Sequence, residues 1–214
     1  MSTFFQPFRI KKISKHINGQ QTKILDIGSG SHSASITKKW IKGCHYTGVD
    51  KNQGYRNDTR DIDLMDNFIE LDLTALDFKT IPEDYYDVII MSHVIEHLHN
   101  GDEVLKGLMP KLKKDGIFYV EFPSERSTQF PSRRETLNFF DDPTHCRIFS
   151  IKEICNIFMK YDYQVIEAKT RRSYFNIALM PIKIVLQFFT KGYVKGGVFW
   201  DFYGFADYVI VRKK

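Results

Sequence analysis

The chain has 214 residues, of which 43% are hydrophobic and 27% are charged, and its formal net charge is +5. This length can bury one substantial core, and neither a composition break nor an internal repeat divides it, so the sequence predicts a single domain over residues 1–214. Lysines and arginines are spread along the chain, with their densest runs at residues 9–15 and 111–114. That spread favours a solvated surface and argues against nucleic acid as a partner.

The N-terminal segment, residues 1–22, places Phe4, Phe5 and Phe8 ahead of its basic residues, which is the reverse of the order in a secretory leader. We expect this segment to form a short helix that packs over the sheet. The cysteines at positions 44, 146 and 155 are too few and too irregularly spaced for a disulfide framework or a four-ligand zinc site. The sequence therefore predicts a reducing, cytoplasmic location.

Strand-like runs alternate with segments of helical spacing along the chain. The predicted strands cover residues 23–27, 45–50, 68–72, 86–91, 116–122, 164–169 and 208–211. Helical spacing occurs at Ile36, Trp40 and Ile41, at Val104, Leu105, Leu108 and Leu112, and at Ile154, Ile157 and Phe158. A capping box is predicted for the last of these helices, from Ser150 and Glu153. The alternation indicates an α/β fold with a parallel sheet.

A glycine-containing turn follows the first predicted strand. Gly28 and Gly30 allow the backbone there to approach a ligand closely, and Ser31 or Ser33 can cap the helix that follows. Asp50 ends the second strand, twenty residues beyond Gly30, the separation at which a carboxylate can bind both ribose hydroxyls. The pattern predicts a nucleotide-like ligand at this turn.

The charge beside this turn bears on the kind of ligand. Asp26 lies just before the turn, and the usual dinucleotide fingerprint is incomplete because Ser33 stands where a third glycine is needed. A carboxylate there would repel a pyrophosphate but suits a ligand with an ammonium group, such as the methionine part of S-adenosylmethionine. The charge at this turn therefore favours S-adenosylmethionine, a sulfonium compound, over a pyrophosphate-containing cofactor.

Four motifs resemble those of the class I S-adenosylmethionine-dependent methyltransferases. Residues 26–30, D-I-G-S-G, and Asp50 resemble the family's first two motifs; residues 71–73 resemble its adenine-contacting segment; residues 86–98 resemble its fourth strand and the turn after it. The match spans residues 23–163 and departs from the family at His32, where many members have glycine, and in the short connection after Asp50.

The resemblance implies a Rossmann-like, doubly wound sheet of seven mostly parallel strands, with the last strand antiparallel. It also implies S-adenosylmethionine as cofactor and S-adenosylhomocysteine as product. The cofactor-binding residues that follow from it are Asp26, Gly28, Ser29, Gly30, Asp50, Lys51, Asp72, Leu73, Ser92 and His93.

Two segments outside the simple alternation are expected to determine specificity. The first, residues 123–149, follows the fifth strand, where open α/β sheets place their ligand crevice. This segment carries four arginines that are candidate ligands for an acceptor phosphate or carboxylate: Arg126, Arg133, Arg134 and Arg147. The second, residues 174–200, is an apolar insert too short and too interrupted to cross a bilayer. It is expected to be a buried cap or a homodimer face, or a surface that contacts a membrane or a lipid-linked substrate.

Methyl transfer needs alignment and removal of a proton from the acceptor, and histidine suits the second task. His145 is the first candidate for the base, with Asp141 or Asp142 orienting its ring, and His93 lies near the reaction side of the crevice. A purely structural hydrogen bond from His145 to a backbone carbonyl is the alternative. No metal site is predicted, although a metal-assisted route through the two aspartates stays open.

Rival chemistries fit the same motifs less well. Residues 93–97 spell H-x-x-E-H, a zinc-hydrolase pattern, but here the motif follows a strand rather than lying within a long helix. A dehydrogenase of the short-chain reductase type would need a Tyr-x-x-x-Lys pair, which the sequence lacks. Three classes remain: an O-methyltransferase acting on a sugar, glycan precursor or small metabolite, a methyltransferase acting on a protein or lipid, and a cofactor-binding protein without turnover.

Overall fold

Seven strands form one mixed sheet in the computed structural model, which describes residues 6–17 and 21–214. The strands are β1 (Lys23–Ile27), β2 (His45–Asp50), β3 (Asn67–Glu70), β4 (Tyr86–Ser92), β5 (Leu112–Pro123), β6 (Tyr163–Thr170) and β7 (Ala206–Lys213). Their spatial order is β3-β2-β1-β4-β5-β7-β6, and β7 runs antiparallel to both of its neighbours. This is the seven-stranded arrangement that the resemblance implied.

Helices cover both faces of the sheet. They are α1 (Phe8–Ile13), α2 (Ser33–Trp40), α3 (Thr59–Asp63), α4 (Gly101–Leu108), α5 (Ile151–Met159), α6 (Tyr174–Lys191) and α7 (Trp200–Tyr203). Single 3-10 turns lie at Leu73–Ala75, Ile95–His97, Met109–Lys111, Glu125–Gln129, Phe139–Asp141 and Gly196–Phe199. The connections after β2 and β3 hold only α3 and a 3-10 turn, as their polar sequences predict.

The core consists of two apolar layers because successive strand residues point to opposite faces of the sheet. Leu25 and Ile89 pack on one face with residues of α4 and α5, whereas Ile24 and Val88 pack on the other with α1 and α2. Every one of these four side chains is buried. The strands therefore read as continuous apolar runs rather than alternating ones, which is typical of a parallel sheet covered on both sides.

The short N-terminal helix expected over the sheet is present. Ile10 and Ile13 of α1 are fully buried, and each such side chain contributes about 1.5–3 kcal/mol through the hydrophobic effect. The Phe8 ring packs edge-on against Tyr208 of β7 at 5.1 Å between centroids. Phe4 and Phe5 lie outside the described residues.

Several local expectations were wrong in detail. The residue before α2 is His32, in a left-handed conformation, and no serine caps this helix because the Ser33 hydroxyl donates to Asp26 instead. Ser150 does cap α5 by accepting from the Glu153 N–H, but the Glu153 carboxylate pairs with Arg147, so only half of the capping box forms. Ile41 ends α2 as its C-cap, and Leu112 begins β5 rather than continuing α4.

The apolar insert forms the 18-residue helix α6, followed by a turn and α7. No α6 side chain is fully buried, and six of the segment's large apolar side chains are strongly exposed: Tyr174, Ile182, Val185, Leu186, Phe188 and Phe189. Among the described residues, no helix combines the length and the hydropathy needed to cross a membrane.

Candidate functional site

A cavity of about 1200 Å³ opens at the carboxyl ends of β1, β2 and β4. Its lining comes from the turn after β1, the end of β2, the end of β4, the loop between β5 and α5, and the insert. Of the site residues predicted from the sequence, the structure brings nine to its walls: Gly28, Gly30, Asp50, Lys51, Leu73, Ser92, His93, Asp142 and His145. This is the edge at which open α/β sheets bind ligands.

Close packing explains the two glycines of the first turn. Gly28 has φ +74°, and a Cβ there would lie 2.3 Å from a methyl group of Val94. A Cβ on Gly30 would lie 2.7 Å from the Tyr55 carbonyl oxygen. Any side chain at either position would displace a wall of the cavity, so the turn requires glycine. Ser29, between them, is fully buried and lies behind the cavity wall against Gly48 of β2.

Asp26 does not face the cavity. Its carboxylate is buried and accepts hydrogen bonds from the Ser33 hydroxyl and from the Tyr46 hydroxyl, the latter at 2.8 Å. Arg9 of α1 donates to Ser33 at 2.8 Å and itself lines the cavity. Burial raises the pKa of Asp26, and the nearby guanidinium opposes that rise. The Asp26 carboxylate is therefore linked to the cavity wall indirectly: it accepts a hydrogen bond from Ser33, which in turn accepts one from Arg9.

The ends of β2 and β3 supply the wall where a nucleoside would lie. Asp50 lines the cavity, and its Oδ1 accepts from the Lys51 N–H at 2.7 Å. Asp72 lies outside the lining, because its carboxylate binds Thr74 and the Lys51 ammonium. Those partners lower the pKa of Asp72 to about 2. Leu71 and Leu73 are both on the cavity wall, where their apolar side chains can pack against a base.

His93 is held between two buried carboxylates at the end of β4. Its Nδ1 lies 3.1 Å from Glu96 Oε1 and its Nε2 lies 3.2 Å from Glu121 Oε1. Burial alone would lower the pKa of His93, but the hydrogen bonds to Glu121 and Glu96 outweigh it and raise the pKa to about 9. Both ring nitrogens therefore carry protons that they donate, and this side chain is a fixed cation rather than a base.

The partner of His93 on β5 anchors a larger buried network. Glu121 also accepts hydrogen bonds from the Arg171 guanidinium, at 2.6 Å, and from the Tyr119 hydroxyl. Burial would raise the pKa of Glu121, but Arg171 and His93 together lower it well below its usual range. His93 itself adopts φ +55°, an uncommon conformation for a non-glycine residue, which the network holds in place.

His145 faces the cavity from the loop before α5. Its Nδ1 lies 2.7 Å from the Phe139 carbonyl oxygen, which can only accept, so Nδ1 carries the proton and Nε2 keeps a lone pair. The Nε2 atom lies 4.0 Å from Asp142 Oδ2, and the ring lies 4.8 Å from that of His97. The backbone bond considered for His145 is thus present, and it leaves the other nitrogen available for chemistry.

Other predicted residues of this loop lie away from the cavity. Asp141 accepts from the backbone N–H groups of Arg133, Leu137 and Asn138, so its carboxylate shapes the loop. The predicted acceptor ligands Arg126, Arg133, Arg134 and Arg147 are absent from the lining. Arg147 is occupied by Asp102 and Glu153, while Arg133 and Arg134 lie over the rings of Phe199 and Tyr193.

Several lining residues escape sequence reasoning. Arg9, Trp200 and Phe205 reach the cavity from distant parts of the chain, and no motif marks them. The insert adds Lys183, Gln187 and Lys195. Glu121, which binds His93 from behind the cavity wall, was also not predicted, although it is the one charge in the apolar run of residues 117–122.

Comparison with known proteins decides the family. A family model described as a methyltransferase domain matches residues 7–168. The chain belongs to this family. The expected class I S-adenosylmethionine-dependent methyltransferase family and its cofactor are thereby confirmed.

Individual members of the family share limited sequence identity with this chain. The ubiquinone biosynthesis O-methyltransferase of Rickettsia bellii is 31% identical over 113 residues, which are 52% of this chain and 46% of that protein. The chain thus matches about half the length of this curated relative. A SAM-dependent methyltransferase structure from Archaeoglobus fulgidus has a TM-score of 0.60 at 21% identity, covering 96% of this chain and 91% of that one. Coclaurine N-methyltransferase, solved with N-methylheliamine and SAH, has a TM-score of 0.58 at 18% identity, covering 96% and 70%.

The H-x-x-E-H segment of this chain does not form the zinc-hydrolase arrangement. Residues Ile95–His97 make one 3-10 turn, so the two outer histidines do not share a face of a long helix. Both nitrogens of His93 are also engaged by carboxylates. The hydrolase alternative therefore lacks its required geometry.

Proposed function

We propose that this methyltransferase transfers the methyl group of S-adenosylmethionine to a hydroxyl oxygen of a small acceptor, such as a sugar, a glycan precursor or a small metabolite. The observation that carries the proposal is the free Nε2 of His145 inside the cavity, fixed by the hydrogen bond from Nδ1 to Phe139. The O-methyltransferase name of the Rickettsia relative supports an oxygen acceptor.

The cavity supports a site for two molecules side by side. Its volume, about 1200 Å³, exceeds the roughly 300–1,000 Å³ of a typical single-ligand pocket. In this proposal, the cofactor occupies the part between Gly28 and Asp50, and the acceptor occupies the part between His145 and the insert. Lys183 and Gln187 give the acceptor part a polar wall suited to hydroxyl or acidic groups.

The proposed reaction is an in-line displacement. A lone pair of the acceptor oxygen attacks the methyl carbon while the carbon–sulfur bond breaks. The electron pair of the broken bond stays on sulfur, which gives S-adenosylhomocysteine. The hydroxyl proton passes to His145 Nε2. The protein supplies alignment and proton removal, and the fixed positive charge of His93 orients the carboxylates around it rather than taking part in proton transfer.

The experiment is incubation of the protein with methyl-labelled S-adenosylmethionine and size-fractionated cell extract. The proposal expects the label in small polar compounds, as a methyl ether identified by mass. An Asp50→Ala variant, impaired in cofactor binding, is the control. Label in protein alone, or cofactor binding with no labelled product in any fraction, would contradict the proposal.

We infer a second candidate acceptor, a lipid-linked one, from the insert. Helix α6 contributes Lys183 and Gln187 to the cavity while Phe188 and Phe189 are exposed, the latter at 81%. An apolar face beside the acceptor end suits a protein that works at a membrane surface. Label recovered in the organic phase of the same extract would favour this acceptor over a soluble one.

A further inference from the structure

We propose that Glu96, His97 and His145 bind a divalent transition-metal ion at the acceptor end of the cavity. One ligand atom from each residue lies within 4.8 Å of the others, and all three residues line the cavity. The set comes from two separate segments, the turn after β4 and the loop before α5. The sequence predicted no metal site, because its spacing gave no sign that His145 would meet residues 96 and 97.

The second oxygen of a buried carboxylate is the strongest indication that a further ligand binds here, since the charge of His93 is already paired with the first. Glu96 is 1% exposed, and its Oε1 accepts from His93. Its second oxygen, Oε2, is buried and has no hydrogen-bond partner among the described residues. Leaving a charged oxygen without a partner in the interior is unfavourable, and such groups usually pair with a cation or coordinate a metal.

Both imidazoles are oriented as metal-binding histidines usually are. His145 donates from Nδ1 to Phe139, which leaves Nε2 free. Thr144 donates its hydroxyl proton to Asp142, so its oxygen accepts from His97 Nδ1 at 2.9 Å. The Nε2 of His97 therefore also keeps its lone pair. A carbonyl and a hydroxyl thus fix the two rings through the nitrogens that do not bind the ion.

The donor set selects the kind of ion. Two imidazoles and one carboxylate suit Zn²⁺, Fe²⁺, Co²⁺ or Mn²⁺, whereas Mg²⁺ and Ca²⁺ prefer oxygen ligands throughout. Ligand atoms around tetrahedral zinc are roughly 3.3 Å apart, so closure on the ion requires shifts of roughly 1 Å. Three protein ligands leave at least one position open toward the cavity.

The open position connects the ion to methyl transfer, and this step rests on the proposed function. An acceptor hydroxyl bound there would lose its proton more readily, because a divalent cation stabilises the resulting oxyanion. With the ion bound, Nε2 of His145 is a ligand, and the proton that the acceptor releases passes to solvent; without the ion, Nε2 accepts that proton as described under the proposed function. Acceptors with a second oxygen beside the hydroxyl would bind best, since both oxygens could reach the ion.

The test is metal binding by the untagged 214-residue chain after chelator treatment. We expect one equivalent of Zn²⁺ by calorimetry and elemental analysis, Co²⁺ absorption in the visible range, and no displacement by equimolar Mg²⁺. Glu96→Gln and His145→Asn should each weaken Zn²⁺ binding by at least roughly 100-fold. The asparagine has an amide that can still donate to Phe139 but no atom equivalent to Nε2.

Two matched controls address other surface ligands. His99→Ala removes an exposed imidazole two residues from His97. His32→Ala removes a member of the second His/Asp group, whose Asp61 already has hydrogen-bond partners. Both should bind Zn²⁺ as the unaltered protein does. Retained S-adenosylmethionine binding shows that each variant is folded.

The proposed site would be overturned if the protein bound no stoichiometric Zn²⁺. It would also be overturned if Glu96→Gln and His145→Asn bound Zn²⁺ as tightly as the unaltered protein. These measurements need no acceptor, so a failure of the proposed methyl transfer would leave them intact. Where transfer is observed, chelation should abolish it and leave cofactor affinity unchanged. Full turnover by metal-free protein would overturn the link to the acceptor.

Discussion

At the scale of single residues, Asp50 is the side chain best placed to bind a cofactor ribose, since it ends β2 at the cavity wall. We predict that Asp50→Ala weakens S-adenosylmethionine binding by at least tenfold. Each charged hydrogen bond to a ribose hydroxyl contributes about 1.5–3 kcal/mol. Calorimetric titration measures the change, and Asp63→Ala, an exposed acid of α3, is the control. Equal affinities for the two variants would remove Asp50 from the ribose site.

The free nitrogen of His145 leads to a prediction on turnover. His145→Ala should reduce methyl transfer about 10²–10⁴-fold, because either proton removal or ion binding is lost. Cofactor affinity should stay within a few-fold, since His145 comes from the loop before α5 and not from the strand ends proposed to hold the cofactor. Initial rates with the identified acceptor measure this effect. Near-normal turnover by the variant would show that His145 only supports its loop.

Gly28 and Gly43 form a matched pair for the first turn. Both adopt positive φ, +74° and +73°, but only at Gly28 would a Cβ meet another side chain. Gly43→Ala should therefore lower the free energy of unfolding by about 1 kcal/mol through backbone strain alone. Gly28→Ala should lower it by a further 1–3 kcal/mol or so, because Val94 is displaced. Urea unfolding of both variants measures the difference, and similar losses would disprove the close contact.

At the scale of elements, an ion pair holds α1 on the sheet. Lys12 Nζ lies 2.8 Å from Glu167 Oε1 on β6. Burial would raise the pKa of Glu167, but hydrogen bonds from Lys12 and Tyr208 outweigh it and lower the pKa to about 2. The folded pKa is thus below the unfolded value of about 4.3. The ionised Glu167 therefore stabilises the fold at pH values above the unfolded pKa, and this stabilisation is lost as the pH falls from the unfolded pKa toward 2.

We therefore predict that the free energy of unfolding falls less steeply between about pH 5 and pH 2 in Glu167→Gln than in the unaltered protein. Denaturant unfolding at a series of pH values gives the slope for each protein. Glu103→Gln, an exposed acid of α4, should keep the slope of the unaltered protein. Identical slopes for all three would show that the pair with Lys12 contributes nothing in solution.

The exposed face of α6 leads to a prediction on membrane association. Phe189→Ser should reduce co-sedimentation with anionic lipid vesicles, because the side chain is exposed and Lys191 lies two residues beyond it. Phe140→Ser, an exposed phenylalanine of another segment, should have no effect. If vesicles do not bind either protein and gel filtration gives a dimer that Phe189→Ser dissociates, this face is a homodimer contact instead.

Elements were more predictable than their ends. Strands β1 and β2 have the predicted bounds, since their apolar runs are bounded by a charged or a turn residue. Strand β3 ends at Glu70 because Asp72 caps the next turn, which the apolar pattern of residues 68–72 concealed. The serine cap predicted for α2 does not form, because the Ser33 hydroxyl donates to Asp26, seven positions earlier, in a contact that no local capping rule predicts.

At the scale of the whole molecule, the candidate site divides into a predictable and an unpredictable half. The turn at Gly28 and the acid at Asp50 come from one continuous unit of the chain, so spacing alone located them. The rest of the cavity wall joins Arg9, His145 and Trp200, which are more than fifty residues apart in sequence. Only the order of the strands brings these three together, and the arginines chosen for their charge were instead used in ion pairs and ring contacts.

The position of β7 has a consequence for assembly of the protein. Strand β6 has its only ladder in the described chain with β7, which lies between it and β5. Residues 163–170 therefore have no sheet edge to join until residues 206–213 have left the ribosome. Until then, Arg171 cannot reach Glu121, and His93 lacks the anchored carboxylate that keeps it charged. A nascent chain could already display the glycine turn and yet could not retain a methyl donor in a finished pocket.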